Sequence, residues 1–140
     1  MPLRTICLLL LMTLAAAPAA FAQAAPRTPE SEISGAWVVV ALAGGRIAPR
    51  APPKIVFNGR GFGGSDGCNQ IGGDIKRIGR GRIAFGQTIA TMMACDTPIM
   101  RMAGAFHRAL KAARRYEIAG DTLRVADARG NVVMVLERTR

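Results

Sequence analysis

Cys68 stands in the glycine-dense run Gly63-Gly64-Ser65-Asp66-Gly67-Cys68-Asn69-Gln70-Ile71-Gly72-Gly73, whose only aliphatic is Ile71. What this cysteine can meet depends on which part of the chain survives maturation. The chain opens with Met1-Pro2-Leu3-Arg4, an apolar run from Ile6 to Ala17, Pro18, and then Ala20-Phe21-Ala22. A basic start, an apolar centre and a small-x-small end form a secretory signal, residues 1–22, cleaved before Gln23. The other reading is an uncleaved membrane anchor. The cleavage site and the weak flanking charge weigh against it, and Cys7 sits too early for a lipid-attachment cysteine. No other run is long enough to span a bilayer, so none remains once the signal is removed. The expected location is periplasmic or secreted.

Export leaves Cys68 and Cys95 as the only cysteines. An even count in an exported protein implies a disulfide between them. They do not form a Cys-x-x-Cys pair, which removes support for a thioredoxin-like redox role. Closing the intervening loop stabilises the fold by about 3–4 kcal/mol on the chain-entropy model. In so short a chain that is a large share of the total stability.

Residues 23–34 (QAAPRTPESEIS) have no periodicity and read as a flexible leader, with the folded domain spanning 35–140. Ala36 to Leu42 is β-branched and apolar, the best strand in the chain. Arg46 to Pro53, with three prolines, is a loop. Lys54 to Phe57 is a strand, Asn58-Gly59 is a hairpin signal, and a returning strand starts at Phe62. Ile71 to Ile78 and Arg82 to Phe85 follow, joined by Gly79-Arg80-Gly81.

The period then changes. Asp96-Thr97-Pro98 is a helix start. Ile99, Met102, Phe106, Leu110 and Ala113 recur at helical spacing. This predicts a helix over about 97–115, with Arg101, Arg108, Lys111 and Arg115 on its opposite side. Tyr116 to Ile118, Leu123 to Val125 and Val132 to Leu136 are closing strands, separated by turns at Gly120-Asp121 and Gly130-Asn131. The expected class is α+β and mostly β: about eight short strands in an antiparallel curved sheet or open barrel, capped by one helix.

Few residues offer chemistry. His107, the only histidine, flanks the helix's apolar stripe and reads as a boundary histidine rather than a ligand. Grouping it with Cys95 and Asp96 as a metal site fails once Cys95 is in a disulfide. Gly59-Arg60-Gly61-Phe62-Gly63-Gly64 resembles a phosphate loop, but no helix pattern follows it, so a tight turn is the simpler reading. Carboxylates sit in or beside turns, and no pair stands out as acid and base. No catalytic residue, metal site or cofactor is expected, and an enzyme is not.

The net charge is +10, and loss of Arg4 with the signal removes one unit. In an exported protein such charge suits an acidic protein or an anionic surface component rather than nucleic acid. Arginine-rich composition and solubility account for it equally well. The basic helix side, Arg101, Arg108, Lys111 and Arg115, is the best candidate for partner contact. Asn69 is expected to hold its own turn by side-chain bonds to the backbone.

Several motifs together resemble the META domain, or HslJ-like, family of bacterial envelope and secreted proteins. They are Gly35-x-Trp37; Gly67-Cys68-Asn69 with Gly73; Thr91-Met92-Met93-Ala94-Cys95; Phe106 and Leu110; and Ile118-x-Gly120-Asp121-x-Leu123. The resemblance covers Gly35 to Leu136 and implies a β-rich domain with one helix in which the two cysteine motifs lie together. It implies no defined enzymatic activity, and links members loosely to heat-shock induction, novobiocin resistance and, in distant relatives, motility. Two positions depart from it: Arg101 stands where members often carry a glutamate, and Ile75 where an aromatic is common. The expected function is a non-catalytic exported domain, stress-related, that binds an envelope protein or anionic surface component. A secreted lipocalin-like inhibitor of proteases or lysozyme is the alternative, since such inhibitors also open near Gly-x-Trp and carry one disulfide.

Overall fold

The computed structural model describes residues 25–47 and 50–140. The expected signal, 1–22, lies outside the described residues. The elements are α1 (Pro29–Ile33), β1 (Gly35–Leu42), β2 (Gly45–Arg46), β3 (Lys54–Asn58), β4 (Gly61–Ser65), β5 (Gln70–Gly79), β6 (Arg82–Ala90), α2 (Thr97–Ala112), β7 (Arg115–Ala119), β8 (Thr122–Ala126) and β9 (Val132–Arg138). The nine strands form one antiparallel sheet in the order β2-β1-β3-β4-β5-β6-β7-β8-β9. β1 also pairs with β9, so the sheet closes on itself. The mostly-β fold, with its curved antiparallel sheet and helix, is therefore as expected.

Alternation sets the inside. In β3, Ile55 and Phe57 point inward between exposed residues; in β8, Leu123 and Val125 do so, and in β9, Met134 and Leu136. This period of two places every second side chain on the core face. Trp37 and Val39 of β1 join them, fully buried. From α2, Phe106, Ala109 and Leu110 face the same core, and Ala103 is buried beside them on the helix. Asn58-Gly59 is the tight turn it was read to be, pairing Asn58 with Gly61.

Two expectations, the leader and Arg115, are corrected, and two approximate bounds are refined. The leader is not flexible throughout. Thr28 caps α1, its Oγ1 accepting from the Ser31 amide at 3.2 Å. Ile33 is fully buried, and Trp37 Nε1 donates to its carbonyl at 2.7 Å. A five-residue helix is too short to show a period, and its one mark is the start itself: the Thr28 cap, Pro29 and the acidic Glu30 and Glu32. Among the described residues the strands number nine, because Gly45–Arg46 folds back on Ala41 and Leu42 through Ala43 and Gly44, both at positive φ. The helix ends at Ala112 rather than near 115. The Arg114 amide already bonds to the Ala126 carbonyl, and Arg115 pairs with both Arg82 and Ala126. Arg115 is thus a strand residue, and does not belong to the helix's basic side.

One joint in the ring is weak. β6 meets β7 only at Arg82 and Arg115. The flanking bonds are Ile83 N to Arg114 O, 3.2 Å, and Tyr116 N to Gly81 O, 2.9 Å. Beyond Ile83, β6 runs on to Ala90 paired only with β5. Its other edge faces α2. Among the described residues, no helix is long and apolar enough to cross a membrane.

Candidate functional site

The cysteine motifs meet. Cys68 and Cys95 form a disulfide with Cα atoms 6.0 Å apart, joining the β4–β5 turn to the β6–α2 connection. A polar network surrounds it. Asp66, 1% exposed, accepts through Oδ1 from the amides of Cys68 (2.9 Å) and Asn69 (2.6 Å). Its Oδ2 lies 2.8 Å from His107 Nε2 on α2. Asn69 Oδ1 accepts from the Met93 amide at 2.6 Å and from the Thr91 hydroxyl at 3.1 Å. Thr91 Oγ1 in turn accepts from the Gln70 amide at 3.1 Å. Asp66, not Asn69, closes the local turn. Asn69 reaches across to the second motif instead, a correction to its expected role.

The motif glycines answer to close approach. Gly67 has φ +101°, and a β-carbon there would lie 2.7 Å from both the Ala51 carbonyl oxygen and Met102 Cε. Gly73 sits opposite Phe62, and its β-carbon would lie 2.6 Å from the Gln87 carbonyl oxygen and 2.8 Å from Phe62 Cζ. The bare glycine lets the Phe62 ring cross the strand and meet Phe85 edge-on, centroids 5.3 Å apart. Ala94 is exposed and takes no part in the network, and Met93 contributes only its backbone.

A groove of about 970 Å³ opens between β6 and α2. The run from Ile83 to Thr88 lines one side, and His107, Leu110, Lys111 and Arg114 the other. Lys76, Arg77 and Arg82 add positive charge along the β5–β6 side, and no carboxylate is among the lining residues. The nearby Asp74 carboxylate lies against Gly86, in the space a side chain there would fill.

The META domain family model matches residues 30–140. The chain belongs to the META domain family. No match is found among curated proteins. Solved structures share the fold. A protein from Burkholderia xenovorans, determined by NMR, is 23% identical with a TM-score of 0.65, covering 89% of this chain and 99% of its own. A second NMR structure is 21% identical, TM-score 0.61, covering 80% and 95%. A crystal structure of a DUF4847 family protein from Bacteroides vulgatus is 16% identical, TM-score 0.58, covering 76% and 94%.

In this META domain the expected basic helix side divides. Lys111 lines the groove, whereas Arg101 and Arg108 are exposed on α2 without lining it. Arg114, unremarked in the sequence, donates to the carbonyls of Lys111 (2.8 Å) and Ala113 (2.7 Å), where cations suit a helix C-terminus. His107 is indeed a boundary residue, half-buried, but with a definite partner. Burial alone would raise the Asp66 carboxyl. The amides of Asn69 and Cys68 and the His107 ring outweigh it and hold that carboxyl below the usual carboxylate range. Asp66 is then the acceptor, and His107 Nε2 carries the hydrogen. An Asp–His pair can activate a nucleophile. Among the described residues, no serine, threonine or cysteine side chain bonds to this ring. The pair ties the turn to the helix. Among the described residues there is also no cluster of three or more metal-ligating side chains. Asp66 was legible only as a turn aspartate, and its partnership across 41 positions left no local signal.

Proposed function

We propose that this META domain is a non-catalytic, exported binding module that takes an anionic partner in the groove between β6 and α2. The observation behind this reading is the lining itself: Lys76, Arg77, Arg82, Lys111 and Arg114 share one concave surface with no carboxylate among them. Cations gathered around a concavity focus positive potential and attract anions. Export rests on the signal-like sequence of residues 1–22, and the disulfide suits an oxidising compartment. A part in envelope stress tolerance rests on the family resemblance.

Binding to polyglutamate, followed by fluorescence anisotropy at low and raised salt, tests the groove. Lys76→Glu with Lys111→Glu should weaken binding at least tenfold, while Arg101→Glu with Arg108→Glu should change it little. Equal loss from both pairs would move the site off the groove. N-terminal sequencing of the protein recovered outside the cytoplasm should begin at Gln23.

A further inference from the structure

We infer that the anionic partner is an extended acidic polypeptide segment, which adds as a strand to the free edge of β6. This rests on the groove reading above and specifies the occupant.

The first observation is how the groove is lined. A strand that offers one face to a cavity contributes alternate residues, because successive side chains point to opposite sides. β6 contributes the consecutive run from Ile83 to Thr88. It therefore presents its edge. That edge is open because the pairing of β6 with β7 stops at Arg82 and Arg115. A free edge carries unpaired amides and carbonyls, the template on which peptides add as an extra strand. Ile83 is still held by the Arg114 carbonyl, so the free run is Ala84 to Thr88. It spans about 17 Å at about 3.4 Å each, enough for an extended segment of similar length.

The second observation is charge. A second copy of this chain would bring its own Lys76, Arg77 and Arg82 against the same cations, so self-pairing is opposed. An acidic segment meets them favourably. The third is what lies past the groove, at the end of β6 and in the connection that follows it. Ile89 is 73% exposed, Met92 fully exposed and Met93 60% exposed. A strand that leaves the cationic stretch meets apolar side chains next. A polypeptide with acidic residues followed by apolar ones matches both; a simple polyanion matches only the first.

The test uses a synthetic peptide of alternating glutamate and valine ending in two leucines, and the same peptide N-methylated on alternate amides, with inorganic polyphosphate as a third probe. N-methylation removes backbone donors and leaves charge and side chains in place. The expected result is salt-sensitive binding of the plain peptide, at least tenfold weaker for the methylated form placed to lose its inward donors. Amide exchange should slow between Ala84 and Thr88 on binding. Equal binding of plain and methylated peptides in both methylation registers would overturn strand addition and leave the anionic groove standing. Polyphosphate binding without peptide binding would do the same. Failure of all three probes would overturn both readings.

Discussion

Asp66 Oδ2 sits 2.8 Å from His107 Nε2, pinning the β4–β5 turn to the middle of α2. The carboxylate is buried and the imidazole only partly so. The same aspartate holds two backbone amides, so three donors depend on it. Asp66→Ala should destabilise the fold by about 2–4 kcal/mol, because buried donors are left unpaired. His107→Ala should cost less, about 1–2 kcal/mol. Urea denaturation of both variants and of the double variant gives the coupling between them, which should be clearly non-additive.

Acid should loosen this contact. Because the folded Asp66 carboxyl lies below its unfolded value of about 3.9, the unfolded chain binds more protons between the two. Its contribution is complete above the unfolded value and is lost as pH falls through the folded one. Asp66→Asn should flatten part of the decline in stability below about pH 4. Asp127, held low chiefly by the Asn131 side chain, keeps its own share, so some slope should remain. Identical acid profiles for the two proteins would contradict the assignment.

Breaking the disulfide acts on the unfolded chain. Cys68→Ser should lower stability by about 3–4 kcal/mol, the loop being 27 positions in length. Reductant added to the unaltered protein should lower its melting temperature comparably. No change with reductant would mean that the thiols are not joined.

Asn69 carries the contact between the two motifs without covalent help. Asn69→Ala leaves the Met93 amide and the Thr91 hydroxyl without their acceptor, a loss of about 1–3 kcal/mol. Hydrogen exchange should speed up at Met93 more than in the strands of the sheet. Uniform acceleration would instead report global destabilisation alone.

Ile33 tests whether the fold starts before β1. Ile33→Ala should destabilise by about 2–4 kcal/mol, as for a fully buried isoleucine. Its carbonyl would still accept from Trp37 Nε1, so any loss measures packing. A change of a few tenths would return residues 29–34 to the status of a leader.

Much of this architecture was readable in the chain because its causes are local. Two-residue alternation marked the buried faces of β3, β8 and β9, and Asn58-Gly59 marked a hairpin that depends only on its own torsions. The change to helical spacing after Asp96 marked α2, and the cysteine count paired Cys68 with Cys95. The sequence also located the two motifs that meet. It could not show how they hold each other. The bonds from Asp66 to His107 and from Asn69 to Met93 join residues 41 and 24 positions apart, and such pairs leave no periodic trace. The end of α2 was missed for the same reason: Arg114 and Arg115 are captured by Ala126 and Arg82, partners distant in sequence. The groove belongs wholly to tertiary structure. Lys76, Arg82 and Lys111 lie on three different elements. They surround one concavity only because β6 outruns β7 and α2 stands across the gap.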